Sequence, residues 1–326
     1  VPGGVGVSVL DTSPVVEGST AAEALRNTVD LAVLADRLGY RRYWAAENHG
    51  MRGVASCAPA VLTAELAGRT RRIRVGAGGV LLPHHAPLVV AEQFGTLEAL
   101  HPQRIDLGLG RATGAPRRIA PHLRTEHDRP FDEQLTALLR WFDEDSAAMP
   151  AAGNRPELWV LGSSVATAGT AARLGLPYAT RAEADPDTAV TVLAAADGVP
   201  TMLETPVIAA PTDAEAERVA ASVRARLAWR SRHGRRVRLP DVATAVTALA
   251  DPDDRAEGHR LTRHHVVGGP DTVRERLQEL LDRTGADELM VSGYVADHDD
   301  RCRSYEIIAD VARGLRARVL SAPSRG

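Results

Sequence analysis

The strongest constraint on the fold is an alternation. Short β-branched runs give way to longer stretches of helical spacing about eight times along the 326 residues. Residues 5–10 read as a strand and 20–38 as a helix, with Thr20 and Glu23 placed as a capping box and Gly39 as the stop. Strands follow at 43–46, 72–77, 104–109 and 157–161, and helices at 57–69, 87–100, 131–142 and 165–174. The back half is less regular. Strands are read there at 178–181, 207–210 and 289–292, and helices at 212–232, 270–284 and 303–316. Residues 233–265 read as an insertion holding one or two short helices, and 318–326 as a flexible tail. Repeated strand–helix units predict a parallel sheet, closed as a (β/α)8 TIM barrel or open and doubly wound. The whole chain is read as one domain. In either architecture ligands gather where the strands end.

Composition narrows the function classes. The 39 basic and 42 acidic side chains leave a net charge of -3, without the basic excess that nucleic-acid binding needs. No apolar run reaches membrane-spanning length and no leader-like start is read, so a cytoplasmic, non-membrane protein is expected. Two cysteines, Cys57 and Cys302, are too few for a disulfide framework. All 39 basic residues are arginine, a pattern that matches a GC-rich genome. Without lysine there is no Schiff-base chemistry and no P-loop. A G-x-S-x-G nucleophile elbow is also absent from the sequence.

Polar and glycine residues collect after the strands. Asp11 follows the first, Glu47-Asn48-His49 the second, and Gly78-Gly79 lead to His84-His85 after the third. Arg111 follows the fourth, Gly162-Ser163-Ser164 open a helix through Thr167 after the fifth, and Asp297-His298-Asp299-Asp300 follow the last. A Gly-Ser-Ser turn at a helix start suits a phosphate, with Arg111 as its charge partner, and equally suits plain helix capping. No metal is expected. His84-His85 and His264-His265 are adjacent pairs rather than i,i+4 pairs, and the acidic run at 297–300 reads as a solvated face.

Taken together, these strand ends resemble the bacterial luciferase-like, flavin-dependent monooxygenase superfamily, nearest to its actinobacterial natural-product members. The residues that carry the resemblance include Tyr43-Trp44 ahead of Glu47, the run from Arg74 through Gly78-Gly79 to Leu82-Pro83, and Ala91-Glu92-Gln93-Phe94-Gly95. Arg104-Ile105-Asp106-Leu107-Gly108-Leu109-Gly110-Arg111, Leu161-Gly162-Ser163-Ser164 and Arg303-Ser304-Tyr305-Glu306 complete it.

The resemblance implies the closed barrel and reduced FMN supplied by a partner flavin reductase. It also implies oxygenation of a small organic substrate, in antibiotic-type secondary metabolism. A deazaflavin version is compatible, though nothing in the sequence favours it. The FMN phosphate would lie against Arg111, Ser163, Ser164 and Thr167, and the Gly78–Gly79 peptide would be cis beneath the flavin. Glu47, Asn48 and His49 are the candidate catalytic residues, and Asp11, Arg181, Asp297 and His298 candidate pocket residues. A homodimer through helices 57–69 and 87–100 is the family's habit. The mostly aliphatic lining is compatible with a bulky polyketide-like substrate.

Two departures stand out. The family carries Glu-His-His after strand two, whereas this chain has Glu47-Asn48-His49, and an amide cannot exchange a proton near neutral pH. After Tyr178 the family's aromatic and histidine-bearing stretch is replaced by a shorter segment with Arg181 and Glu183. These departures motivate a second hypothesis, a flavin-independent barrel that performs a redox-neutral cyclisation, isomerisation or elimination with no cofactor. A third is a non-catalytic flavin- or ligand-binding paralogue.

Overall fold

Thr20 opens the first helix. In the computed structural model, which describes residues 4–111, 119–123, 129–181, 186–234 and 237–317, α1 (Ala21–Leu38) is capped by the Thr20 hydroxyl, which accepts from Glu23 N at 3.1 Å. It ends on Gly39 at φ 86°, a left-handed conformation that glycine adopts freely. The capping box is half made, because the Glu23 carboxylate accepts from Ser19 Oγ at 2.8 Å. Helix α1 joins β1 (Gly6–Asp11) to β2 (Arg42–Ala45), and the two strands pair in parallel.

The strand–helix step recurs through α2 (Pro59–Arg69), β3 (Arg74–Leu81), α3 (Pro87–Leu100), β4 (Ile105–Gly110) and α4 (Phe131–Arg140). It continues with β5 (Glu157–Leu161), α5 (Val165–Leu174), β6 (Tyr178–Arg181), α6 (Pro186–Ala194) and β7 (Thr201–Ala209). Then come α7 (Asp213–His233), α8 (Val242–Ala248), α9 (Pro252–Leu261), β8 (Val266–Gly268), α10 (Pro270–Thr284), β9 (Glu288–Ser292) and α11 (His298–Ala312). Eight strands, β1–β7 and β9, form a closed parallel (β/α)8 barrel, in which β9 joins β7 to β1 and β6 pairs with β7.

Three departures from the sequence reading have physical causes. Strand β7 begins at Thr201 rather than 207, because Glu204 and Pro206 interrupt its apolar pattern while Met202–Pro206 still pair with β9. Its far end, Val207–Ala209, pairs instead with the short extra strand β8. Helix α11 begins at His298 rather than 303, because the Asp297 carboxylate caps it by accepting from Asp300 N at 2.9 Å. The short helices expected between 233 and 265 are α8 and α9. The proposed tail at 318–326 lies outside the described residues.

Alternation along the strands sorts side chains into two cores. Val7, Val9, Tyr43, Val75, Leu107 and Leu109 face the helices, while Trp44, Trp159, Ala179, Met202 and Met290 fill the barrel with Leu10 and Leu161 against them. Below this apolar layer lies a charged base. Arg42 contacts Asp106 at 3.0 Å, Glu157 at 2.9 Å and Glu288 at 3.1 Å, and Arg74 reaches Asp106 at 2.6 Å and Glu157 at 3.2 Å. The Trp44 indole N–H donates to Asp106 at 2.8 Å and ties the layers together. The base occupies the strand starts, which leaves the strand ends for chemistry.

Candidate active site

Glu47 stands two residues past β2, buried to 4 % exposure. Its Oε1 accepts from His49 Nε2 at 2.7 Å and from His85 Nε2 at 2.8 Å, while its Oε2 accepts from Leu81 N at 2.9 Å. One carboxylate therefore gathers two imidazoles from different strand ends, and both rings must hold their proton on Nε2 to donate to it. Burial pushes the Glu47 carboxyl upward. The His85 hydrogen bond and charge, the Leu81 N–H and the His49 hydrogen bond outweigh it, so Glu47 stays below its ordinary value and ionised. With Nε2 committed, each ring is left with Nδ1 to take or give a proton, the arrangement by which a carboxylate fixes a histidine's tautomer and strengthens it as a base.

Asn48 is half-buried, and its backbone N–H donates to Ser56 O at 3.0 Å. The ring of His84, itself 7 % exposed, meets that of His49 edge-on with centroids 6.0 Å apart. Sequence reasoning took His84-His85 only as a poor metal pair. What it missed was His85 as the second imidazole on Glu47, and the signal was its position at a strand end, opposite Glu47.

The Gly78–Gly79 peptide is cis, the isomer implied by the resemblance. A methyl group at Gly78 would lie 2.8 Å from Leu10 Cδ1 and Trp44 Cε3, and one at Gly79 would lie 2.6 Å from Gly108 O. Both contacts are closer than real side chains allow, so bare backbone is required here. At the end of β5, the Ser164 hydroxyl caps α5, accepting from Thr167 N at 3.3 Å and pairing with Thr167 Oγ1 at 2.9 Å. Capping thus uses Ser164 and Thr167, while Ser163 just before α5 and Arg111 just after β4 are exposed.

Arg181 lies at the mouth on β6, its Nε donating to Glu204 at 3.0 Å, and Glu204 also accepts from Ser292 Oγ. Three of these inward positions, on β6, β7 and β9, thus carry a linked polar group above the apolar layer. Glu183 lies outside the described residues, as does the rest of the altered segment at 182–185.

Three expected pocket residues are corrected. Asp11 points outward to the helices: its carboxylate accepts from Thr28 Oγ1 and Tyr43 OH at 2.6 Å each, from Ser13 N at 2.8 Å and from Arg301 Nη2 at 2.6 Å. Continuing the in–out alternation of β1 puts Asp11 on the face of Val7 and Val9, which a strand-end argument alone overlooks. Asp297 caps α11, and His298 turns to α1, where its Nε2 contacts Asp30 at 2.9 Å.

Burial pushes the Asp11 carboxyl up, but Arg301 and the hydroxyl and N–H donors bring it below its ordinary value. Its ionisation therefore stabilises the fold above the unfolded-state pKa of about 3.9, and that stability is lost as pH falls through the lower folded value. Asp11→Asn is expected to cost about 1–3 kcal/mol at neutral pH by chemical denaturation. The gap to wild type should narrow below about pH 3.9. A pH-independent gap would show that the carboxylate charge is not what is lost.

A closed (β/α)8 barrel whose polar and titratable residues gather at the strand ends defines the enzyme-type architecture, and sequence comparison specifies the family. The family model for luciferase-like monooxygenases matches residues 5–288, and the chain belongs to that family. It is 41% identical over 323 residues to the uncharacterized protein YvbT of Bacillus subtilis strain 168, covering 94% of this chain and 96% of YvbT. It is 37% identical over 329 residues to the luciferase-like monooxygenase of Escherichia coli K12, covering 95% of this chain and 98% of that protein. The crystal structure of apo-MsnO8 superposes with a TM-score of 0.87 at 41% identity, covering 97% of this chain and 99% of that one. No helix among the described residues is long and apolar enough to cross a membrane.

Proposed function

We propose that the chain is an FMN-dependent monooxygenase that oxygenates a small organic molecule in secondary metabolism, with reduced flavin delivered by a separate reductase. The observation that carries the reading is the Glu47 cluster, a proton-handling group next to a bare-backbone floor at Gly78–Gly79. The residues present fit a flat flavin with a terminal phosphate. Gly78 and Gly79 would underlie the ring system. Arg111, Ser163 and the α5 start capped by Ser164 and Thr167 would hold the phosphate. When bound, reduced FMN supplies the activation of oxygen.

The protein's own residues provide the rest. His49 and His85, each oriented by Glu47, hold or move a proton at Nδ1, and Asn48 positions substrate by hydrogen bonding. Arg181, already paired with Glu204, offers its exposed edge to a polar substituent of the substrate. A polyketide-like substrate and a homodimer through α2 and α3 belong to the same proposal. Exposed Val61 and Val89 on these helices and Leu100 at the end of α3 support the dimer.

The test is anaerobic titration with reduced FMN, followed by reductase-coupled incubation with a panel of aldehydes, ketones, thioethers and aromatic polyketides, read by mass spectrometry. Saturable flavin binding and a product one oxygen atom heavier are expected. Arg111→Leu should weaken FMN binding by about 10- to 100-fold, the worth of a charged phosphate contact. Absence of flavin binding in the wild type would overturn the reading in favour of a cofactor-free enzyme. Binding without any oxygenated product would favour the non-catalytic paralogue.

A further inference from the structure

We propose that Asp30, His298 and Cys302 form a zinc-type divalent-cation site that clamps α1 to α11 in the helix layer, separate from the Glu47 cluster. Three donors of different chemistry converge there. His298 Nε2 is 2.9 Å from Asp30 Oδ2 and 3.6 Å from Cys302 Sγ, and the three ligand atoms all lie within 4.8 Å of one another. Zinc bonds of about 2.3 Å to sulfur and 2.0 Å to nitrogen, set at the tetrahedral angle, separate those two atoms by about 3.5 Å. The observed sulfur–nitrogen distance is therefore the bite such an ion needs. His298 and Cys302 are spaced i,i+4 on α11, the spacing that puts two ligands on one helix face. The Asp30 oxygen must retreat by about 0.4 Å to reach the tetrahedral nitrogen–oxygen separation, and its side chain, 66% exposed, is free to do so.

A catalytic relay does not fit the same atoms. In a thiol–imidazole–carboxylate relay the carboxylate takes Nδ1–H and leaves Nε2 for sulfur. Here both contacts fall on Nε2, while the buried Nδ1 has no hydrogen-bond partner among the described residues. Three ligand atoms within 4.8 Å of one another are close enough to share one ion after a small shift. Asp299 and Glu306 join Asp30 in adding negative charge near the thiol, and Arg301, the arginine acting on it, is bound to Asp11. Binding through sulfur displaces the thiol proton, and coordination through Nε2 places the imidazole proton on Nδ1. A water would complete four ligands. Mixed sulfur, nitrogen and oxygen donors select zinc over magnesium or calcium.

The experiment is titration of the chelator-treated full chain with Co2+, then with Zn2+, followed by absorption spectroscopy. One Co2+ per chain is expected, with a thiolate-to-cobalt band in the near ultraviolet that Zn2+ abolishes. Cys302→Ser should remove the band, and Asp30→Asn and His298→Ala should each weaken binding at least tenfold. Cys57→Ser and His49→Ala should leave both band and affinity unchanged. Because Asp30 is exposed, Asp30→Asn keeps the test valid if a change on α11 impairs folding. No saturable cobalt binding, a band that survives Cys302→Ser, or one lost in Cys57→Ser would overturn the proposal.

Discussion

Glu47→Gln is expected to lower the oxygenation rate by about 10²–10⁴-fold while leaving reduced-FMN affinity within a few-fold of wild type. The substitution preserves size but halves the acceptor capacity. Glu47 serves three N–H donors through two oxygens, from His49, His85 and Leu81. An amide has one acceptor oxygen, and its NH2 must then face an N–H donor. Turned toward Leu81, the oxygen releases both imidazoles. Turned toward the imidazoles, it leaves the Leu81 N–H facing another donor. The first orientation frees both tautomers; the second keeps both rings on a neutral acceptor, without the carboxylate charge, and leaves a buried N–H unpaired. The comparison uses single-turnover kinetics on the best substrate from the oxygenation panel, with flavin titration as the control for folding. A rate within threefold of wild type would remove Glu47 from the mechanism. His85→Asn and His49→Asn divide the effect between the two rings, and the larger loss marks the ring whose Nδ1 handles the proton.

The second large effect is on stability. Arg42→Leu is expected to destabilise the fold by about 3–5 kcal/mol in urea unfolding, the cost of stripping a buried charge cluster of one partner. Arg42 is 1 % exposed and touches three carboxylates, those of Asp106, Glu157 and Glu288. Without it, Arg74 still holds Asp106 and Glu157, and half-exposed Arg41 reaches Glu288 at 3.3 Å. Neither can replace the fork that joins all three. Arg42→Lys should recover only part of the loss, since a point charge cannot reproduce the planar donor set or the stacking of the guanidinium 4.9 Å over Trp159. A cost below about 1 kcal/mol for Arg42→Leu would mean that the base tolerates its carboxylates unpaired.

The closed barrel was readable from periodicity and from the strand-end residues together. Most helix bounds followed from capping residues, as at Thr20 and Gly39, or from proline at a first turn, as in α3 and α10. Misreadings came where polar residues serve structure. Glu204 and Pro206 hid the first half of β7, and the acidic run at 297–300 concealed the start of α11. At the site, Glu47 and His49 were legible because they adjoin in sequence. His85 was not assigned its role, since its contact with Glu47 spans 38 positions and depends on β3 running on past the end of β2. Asp11 shows the opposite error. Its place after a strand suggested a pocket, but parity along the strand sends the carboxylate to the helices, where Arg301 meets it.

That contact also bears on how the molecule is made. Arg301 reaches Asp11 across 290 positions, and β1 pairs with β9 across a similar span. Until α11 has left the ribosome, a collapsing β1 must carry a charged carboxylate into an apolar layer without its counter-ion, and its edge lacks the strand that closes the ring. Loop closure over such a distance is slow relative to local helix formation. The early strand–helix units should therefore remain an open, unfinished sheet until β9 and α11 have emerged, and the ring should close only after that.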